Sequence, residues 1–207
     1  MSNDKKKEIR IVTPTGRAAF IKNLFVKGGE KERYSGALVF SKDQDITSIK
    51  NLMMSAAKEA GFTKEDITDK DFSWGVKTVD TKELDFCNEG DRVANFDRNG
   101  AFGAPEVKSS VKGPDGKYED LQEGDLKAGD HCRVLLSAFG WTYKKRKGVK
   151  LNFEAVQFIK SGEAYYSAPT SDSAWDSTEF DTAPETATPE VFDTTDSNDD
   201  DWSDAAF

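Results

Sequence analysis

Residues 130–160 read DHCRVLLSAFGWTYKKRKGVKLNFEAVQFIK. Two long runs rich in aliphatic, β-branched and aromatic residues flank Lys144-Lys145-Arg146-Lys147-Gly148, and the pattern predicts two long strands joined by a basic loop. Alternation from His131 puts Arg133, Leu135, Ser137, Phe139, Trp141 and Tyr143 on one face. An aromatic ladder therefore runs into the basic segment, and Lys150 follows on the return strand.

The stretches upstream extend the β pattern. Residues 105–121, PEVKSSVKGPDGKYEDL, read as a hairpin closed at Pro114-Asp115-Gly116. Residues 8–26, EIRIVTPTGRAAFIKNLFV, hold two short extended runs broken at Pro14-Thr15-Gly16, and 33–42, RYSGALVFSK, form a further strand. Residues 45–61, DITSIKNLMMSAAKEAG, are the one clear helix. Ile46, Ile49, Leu52, Met53, Ala56, Ala57 and Ala60 recur at helical spacing, with Asp45 as N-cap and Gly61 as the residue after the end. That stripe reads as core. Residues 71–80, DFSWGVKTVD, suit a strand, whereas 88–106, NEGDRVANFDRNGAFGAPE, read as loop. Several short strands, one helix and about 160 residues predict a small elaborated β-barrel or sandwich.

The charge is divided sharply along the chain. Residues 161–207 contain 13 of the 38 acidic residues and none of the 29 lysines and arginines. The remaining 25 acids face all 29 bases, so the body carries +4 and the tail −13. A basic body suits a polyanion, and an acidic tail competes for the same surface. The tail is rich in Ser, Thr, Asp, Ala and Pro, has no helical or strand periodicity, and is expected to be disordered. The expected organisation is a flexible basic start at 1–8, a folded domain at 9–162 and an interaction tail at 163–207.

Other chemistries find little support. No apolar run approaches the length of a membrane span, and no hydrophobic signal segment follows the charged start, so a cytoplasmic protein is expected. Cys87, Cys132 and the lone His131 match no metal module, and no phosphate-binding glycine loop is present. Asp91 and Asp97, with Glu89 nearby, are the best candidates for a Mg²⁺-dependent nuclease, yet Asp is also common in such turns for backbone reasons. The expectation is no enzyme, no cofactor and no metal.

Cations that track phosphates beside aromatic faces that stack on bases are what a groove for single-stranded nucleic acid requires. The closing hairpin offers Trp141, Tyr143, Lys144, Lys145, Arg146, Lys147 and Lys150. The bland alternative is that Phe139 and Trp141 fill the core while the basic loop aids solubility. A second set lies among Arg17, Phe20, Lys22, Phe25, Lys27, Arg33 and Tyr34. In an unbroken strand Phe20 and Lys22 share one face, with Arg17 and Phe25 opposite, so part of this set is core. Arg92, Arg98 and Phe102 either close over a bound strand or belong to a polar loop.

Three stretches together resemble the single-stranded-DNA-binding proteins of bacteriophage replication, of the OB-fold type: 23–42, NLFVKGGEKERYSGALVFSK; 135–163, LLSAFGWTYKKRKGVKLNFEAVQFIKSGE; and 199–207, DDDWSDAAF. They are similar to that family's opening strands, closing hairpin and C-terminal tail. The likeness spans about residues 9–163 in element order, and the tail in character. It implies a mainly β, OB-fold-like Greek-key barrel with one principal helix at about 45–60. It further implies coating of single-stranded DNA without sequence preference in replication, recombination or repair. Phe20, Lys22, Arg33, Tyr34, Arg92, Arg98 and Phe102 join the hairpin as expected DNA contacts. In the tail, Asp199, Asp200, Asp201, Trp202, Asp204 and Phe207 are expected to recruit replication proteins of the polymerase, helicase, primase or recombinase class. A homodimer is compatible with the resemblance, and no feature of the sequence decides it. An acidic adaptor or DNA mimic, with the tail as its active part, is the alternative from another class. If the hairpin neutralises about five phosphates, the logarithm of affinity falls against log salt with a slope near about −3.5.

Overall fold

A computed structural model describes residues 9–28, 32–79 and 86–165. The expectations for residues 1–8 and for the tail beyond Tyr165 fall outside the described residues.

The chain opens with β1 (Arg10–Val12) and β2 (Gly16–Ala19), two pieces of one barrel edge separated at Pro14. Both lie against β8 (His131–Tyr143), β1 at Leu135–Ser137 and β2 at His131–Cys132. Thr13 stitches the break, because its N–H donates to the Val134 carbonyl while its Oγ1 accepts from the Val134 N–H. Phe20, with φ of +54°, then turns the chain into the short helix α1 (Lys22–Phe25). The extended run expected to continue through Val26 therefore stops at Ala19.

The barrel follows from the pairings. β2 pairs with β3 (Arg33–Phe40), β3 with β5 (Arg92–Asn99), β5 in parallel with β9 (Arg146–Lys160), β9 with β8, and β8 returns to β2. Five strands thus close on themselves in the Greek-key order of an OB-fold. The expected fold class is what the structure shows. β4 (Val76–Thr78) adds to the outer edge of β5, and the hairpin of β6 (Glu106–Lys112) and β7 (Tyr118–Asp120) adds to β9 through β6.

The interior is filled by alternate residues of the ring strands. Leu38 and Phe40 of β3, Ala94 and Phe96 of β5, Val134 and Leu136 of β8, and Val149, Leu151 and Phe153 of β9 are all buried. α2 (Thr47–Glu59) plugs this interior with Ile49, Leu52, Met53, Ala56 and Ala57. Asp45 Oδ1 accepts from the Thr47 N–H at 2.8 Å, one residue outside the cap position, which Ile46 holds. Ala60, expected in the stripe, is exposed at the end of the helix. Gly140 of β8 lets that end approach, since a Cβ there would stand 2.3 Å from the Ala60 Cβ.

Two further sequence expectations are corrected. Residues 92–99, read as loop, form the central strand β5, bonded on both edges. The basic loop of five residues shrinks to a two-residue turn at Lys144-Lys145, with Lys144 at φ +54°, because Arg146 and Lys147 already pair with Tyr143 and Thr142.

Phe153 is fully buried at the centre of the barrel. Phe153→Ala is expected to cost about 3–5 kcal/mol in urea unfolding, because the cavity left behind cannot collapse inside a closed ring. A loss under about 1 kcal/mol contradicts this packing.

Candidate nucleic-acid interface

The outward residues of four ring strands form one surface. On β3 they include Arg33 and Ser35, and on β5 Asn95 and Asp97, with Ser35 opposite Asp97 in register. On the closing ribbon the outward pairs are Phe139 with Lys150, Trp141 with Gly148 and Tyr143 with Arg146. A groove of about 770 Å³ crosses this surface. Phe20 stands at one side, and Phe139, Trp141 and Tyr143 at the other, with Arg33, Asp97 and Lys150 between.

The far half of the β3–β5 face is covered. Ala37, Val39 and Val93 form a small apolar cluster with Ala19, Val79 and Cys87, against which Phe86 and Tyr165 pack. Tyr165 stacks on Phe86 at 4.3 Å, and the Arg17 guanidinium lies 4.3 Å from the Tyr165 ring centroid. Phe86 in turn meets Phe20 edge-on at 6.1 Å. The open groove is therefore bounded by an aromatic stack that also fixes the first residues beyond β9.

The tryptophans are positioned by backbone proximity. Ser73 forms an isolated parallel bridge with Gly148: Ser73 N–H donates to the Lys147 carbonyl at 3.0 Å, and Val149 N–H to the Ser73 carbonyl at 2.8 Å. Only glycine fits at 148, where a Cβ would meet the Ser73 carbonyl oxygen at 2.5 Å and the Trp141 Cζ2 at 2.9 Å. This crossing brings Trp74 into the groove wall beside Trp141. Trp74 is held from behind by Phe72, with ring centroids 4.7 Å apart.

Charge in the groove is less one-sided than the sequence implies. Asp97 stands between two cations: Arg33 Nη1 approaches its Oδ1 at 3.2 Å, and Lys150 Nζ contacts its Oδ2. Lys77 lines the same groove, and Lys144 Nζ lies 5.4 Å from the Tyr143 ring centroid at its rim.

Several expected contacts lie elsewhere. Tyr34 points inward and is only 7% exposed, so it belongs to the core. Lys22 is exposed on α1 and does not line the groove. Arg92 donates to the carbonyls of Ser41, Lys42 and Gln44, pinning the connection between β3 and α2. Arg98 donates to the carbonyls of Phe102 and Gly103 at 2.8 and 3.0 Å, and with Phe102 lines a separate cleft. Lys147 Nζ binds Asp66 Oδ1 at 2.7 Å. That bond and the Thr63 N–H hold the Asp66 carboxyl below its ordinary value. Asp66 belongs to α3 (Lys64–Thr68), whose capping box with Thr63 fixes it. Lys145 and Arg146 share a shallow cleft with Asp66, Asp69 and Asp71. Lys147 is thus tied to an acid, while Lys144, Lys145 and Arg146 stay exposed.

Of the expected set, Trp141, Tyr143, Lys150, Phe20 and Arg33 line one groove, with Lys144 at its rim. Trp74, Lys77 and Asn95 join them unforeseen. Tail residues Asp199, Asp200, Asp201, Trp202, Asp204 and Phe207 lie outside the described residues. The carboxylates that a metal-dependent reading needs stand apart: Asp91 Oδ2 accepts from the Asn88 N–H, while Asp97 is flanked by cations. Among the described residues no group of three or more His, Cys, Asp or Glu is arranged to hold a metal ion, and no helix is long and apolar enough to cross a membrane. Burial, with Asp130 nearby, pushes the Cys132 thiol up to about 12, so it stays protonated.

No family model and no curated protein sequence matches the chain. Solved structures do. A C-terminally truncated single-stranded DNA-binding protein from bacteriophage Enc34 superposes with a TM-score of 0.57 at 17% identity, covering 75% of this chain and 87% of that one. The Enc34 protein in complex with ssDNA matches with a TM-score of 0.57 at 16% identity, over 76% of this chain and 89% of that one. The fold is that of bacteriophage single-stranded-DNA-binding proteins. Bacteriophage T7 gp2.5, a single-stranded DNA-binding protein, matches with a TM-score of 0.54 at 14% identity, covering 77% of this chain and 95% of that chain.

Burial separates groove from core. Tyr143→Ala, at a side chain 65% exposed, is expected to leave stability within about 0.5 kcal/mol. Tyr34→Ala is expected to cost about 3 kcal/mol or more in the same unfolding measurement. Equal losses at both positions contradict the assignment.

Proposed function

We propose that the protein binds single-stranded DNA without sequence preference, along the groove between Phe20 and the Phe139–Tyr143 ladder. The observation that carries this reading is the coincidence of exposed aromatic rings and cations on the face of the second and third ring strands, beside the first and last connections of the barrel. That face and those loops are where OB-folds take oligonucleotides. Stacking on Trp141, Trp74 and Tyr143 is indifferent to base identity, while Arg33, Lys77, Lys150 and Lys144 follow the phosphates. The Enc34 protein, with the same fold, has been solved with ssDNA bound. The reading is of a binding protein and not of an enzyme, serving phage replication, recombination or repair in the cytoplasm of the bacterial host.

The acidic segment supplies the second half of the proposal. With 13 acids and no bases in 161–207, it is suited to compete weakly with DNA for the basic body and to offer Trp202 and Phe207 to replication proteins. Support comes from Tyr165, which belongs to this segment and stacks on Phe86 beside Phe20 at the margin of the groove.

Titrating a fluorescent oligo-dT at several salt concentrations tests the groove. Four cations less Asp97 correspond to about three phosphates and a slope near about −2 in log affinity against log salt, in place of the steeper value expected from the basic turn. Trp141→Ala is expected to weaken binding by about 1–3 kcal/mol, or about fivefold to 150-fold, without loss of the fold. A flat salt response, or full affinity in the variant, overturns the reading.

Removing residues 199–207 is expected to tighten DNA binding or leave it unchanged while abolishing capture of a replication polymerase or helicase in a pull-down. Weaker DNA binding after the deletion contradicts the proposed competition.

A further inference from the structure

Among the described residues that line the groove, Asp97 is the one whose charge opposes the proposed ligand. It is neither peripheral nor loosely placed: its side chain is only 16% exposed, and it sits on the groove floor in the middle of β5, bonded to strands on both edges. Arg33 reaches it from β3 and Lys150 from β9, so three strands converge on one carboxylate. Both cations are about one-third exposed, and all three side chains line the groove. A carboxylate on that floor repels phosphate while holding two long, flexible cations in fixed geometry.

We infer that Asp97 is a built-in counter-ion, which keeps Arg33 and Lys150 ordered and half-neutralised so that together they receive one phosphate of the strand instead of two. The inference rests on the groove being the DNA site. The triad carries a net charge of +1, and it is that net charge, not the number of cations, that sets how many condensed ions a strand gives up on docking. Holding the two side chains in place beforehand also lowers the conformational entropy that binding must remove. Asp97 thus trades electrostatic attraction for order, and it makes affinity less sensitive to salt than the cations alone would dictate.

The experiment is the oligo-dT titration across salt, run on the native protein, Asp97→Asn, Asp97→Asn with Lys150→Gln, and Asp115→Asn as an exposed control on the β6–β7 turn. Asp97→Asn is expected to steepen the log–log slope by about 0.7, one further phosphate, so that the ratio of affinities at about 50 and about 200 mM salt grows about 2.6-fold. Adding Lys150→Gln restores the native slope, and Asp115→Asn leaves it unchanged. An unchanged slope in Asp97→Asn, or binding weakened at every salt concentration, overturns the inference, because Asp97 then only scaffolds the two cations. The same shift in Asp115→Asn also overturns it, since any surface acid would then do. Should Asp97→Asn lose its thermal transition, Asp97→Ser carries the same change of charge. Failure of the native protein to bind oligo-dT at all is a different outcome: it removes the groove reading itself.

Discussion

The ladder between β8 and β9 is the constraint on which the rest of the molecule depends. Its thirteen registered pairs, from His131–Lys160 to Tyr143–Arg146, form one long ribbon. The ribbon's two outer edges close the barrel, β8 onto β1 and β2, and β9 onto β5. One face of the ribbon supplies the barrel core through Val134, Leu136, Val149, Leu151 and Phe153, and the other supplies the aromatic wall of the groove. Because side chains alternate with register between irregularities, one pairing fixes both faces at once. The irregularity near Leu135 and Leu136 falls on β9 at Glu154, where Arg10 Nε meets the carboxylate at 2.9 Å. Beyond it the pairing runs without interruption to the turn.

Electrostatics divides the surface unevenly. The basic turn looks like the obvious phosphate site, yet α3 and the acids after it lie against it, and Lys147 is bound to Asp66. Such a pair at a partly exposed site adds little stability, and the crossing of Ser73 over Gly148 is held by the backbone bonds to Lys147 and Val149. The cations that remain on the groove are few and set among rings. The proposed binding of a single strand there would lean on stacking more than on charge, as a site indifferent to sequence requires.

The sequence was most legible where one face of an element is buried. The closing hairpin and the helix at 45–60 are where their patterns place them, because core packing imposes the period that the eye can read. The β6–β7 hairpin, with β7 exposed throughout, was legible from its Pro114-Asp115-Gly116 turn instead. β5 was illegible for the opposite reason. Its outward positions hold Asn95 and Asp97, and its ends hold Arg92 and Arg98, so polar residues broke the apolar pattern that a central strand normally shows. Two of those polar residues line the groove. On the proposed function, the break in the pattern falls where a ligand would be met instead of where the core is packed. Tyr34 and Trp74 show the complementary limit. Parity within a strand tells which residues share a face, but only the closed barrel tells which face is inside, and only the Gly148 crossing brings Trp74 beside Trp141.

The central claim is that the strand lies between Phe20 and the Phe139–Tyr143 ladder, on the open half of the β3–β5 face. Photo-crosslinking with an oligonucleotide carrying 5-iodouracil, followed by mass-spectrometric mapping, tests it directly, because adducts form preferentially on aromatic rings in close contact with the base. The account predicts adducts on Trp74, Trp141, Tyr143, Phe139 or Phe20. Adducts confined to Phe102 and Tyr118, which are exposed rings outside that groove, contradict it.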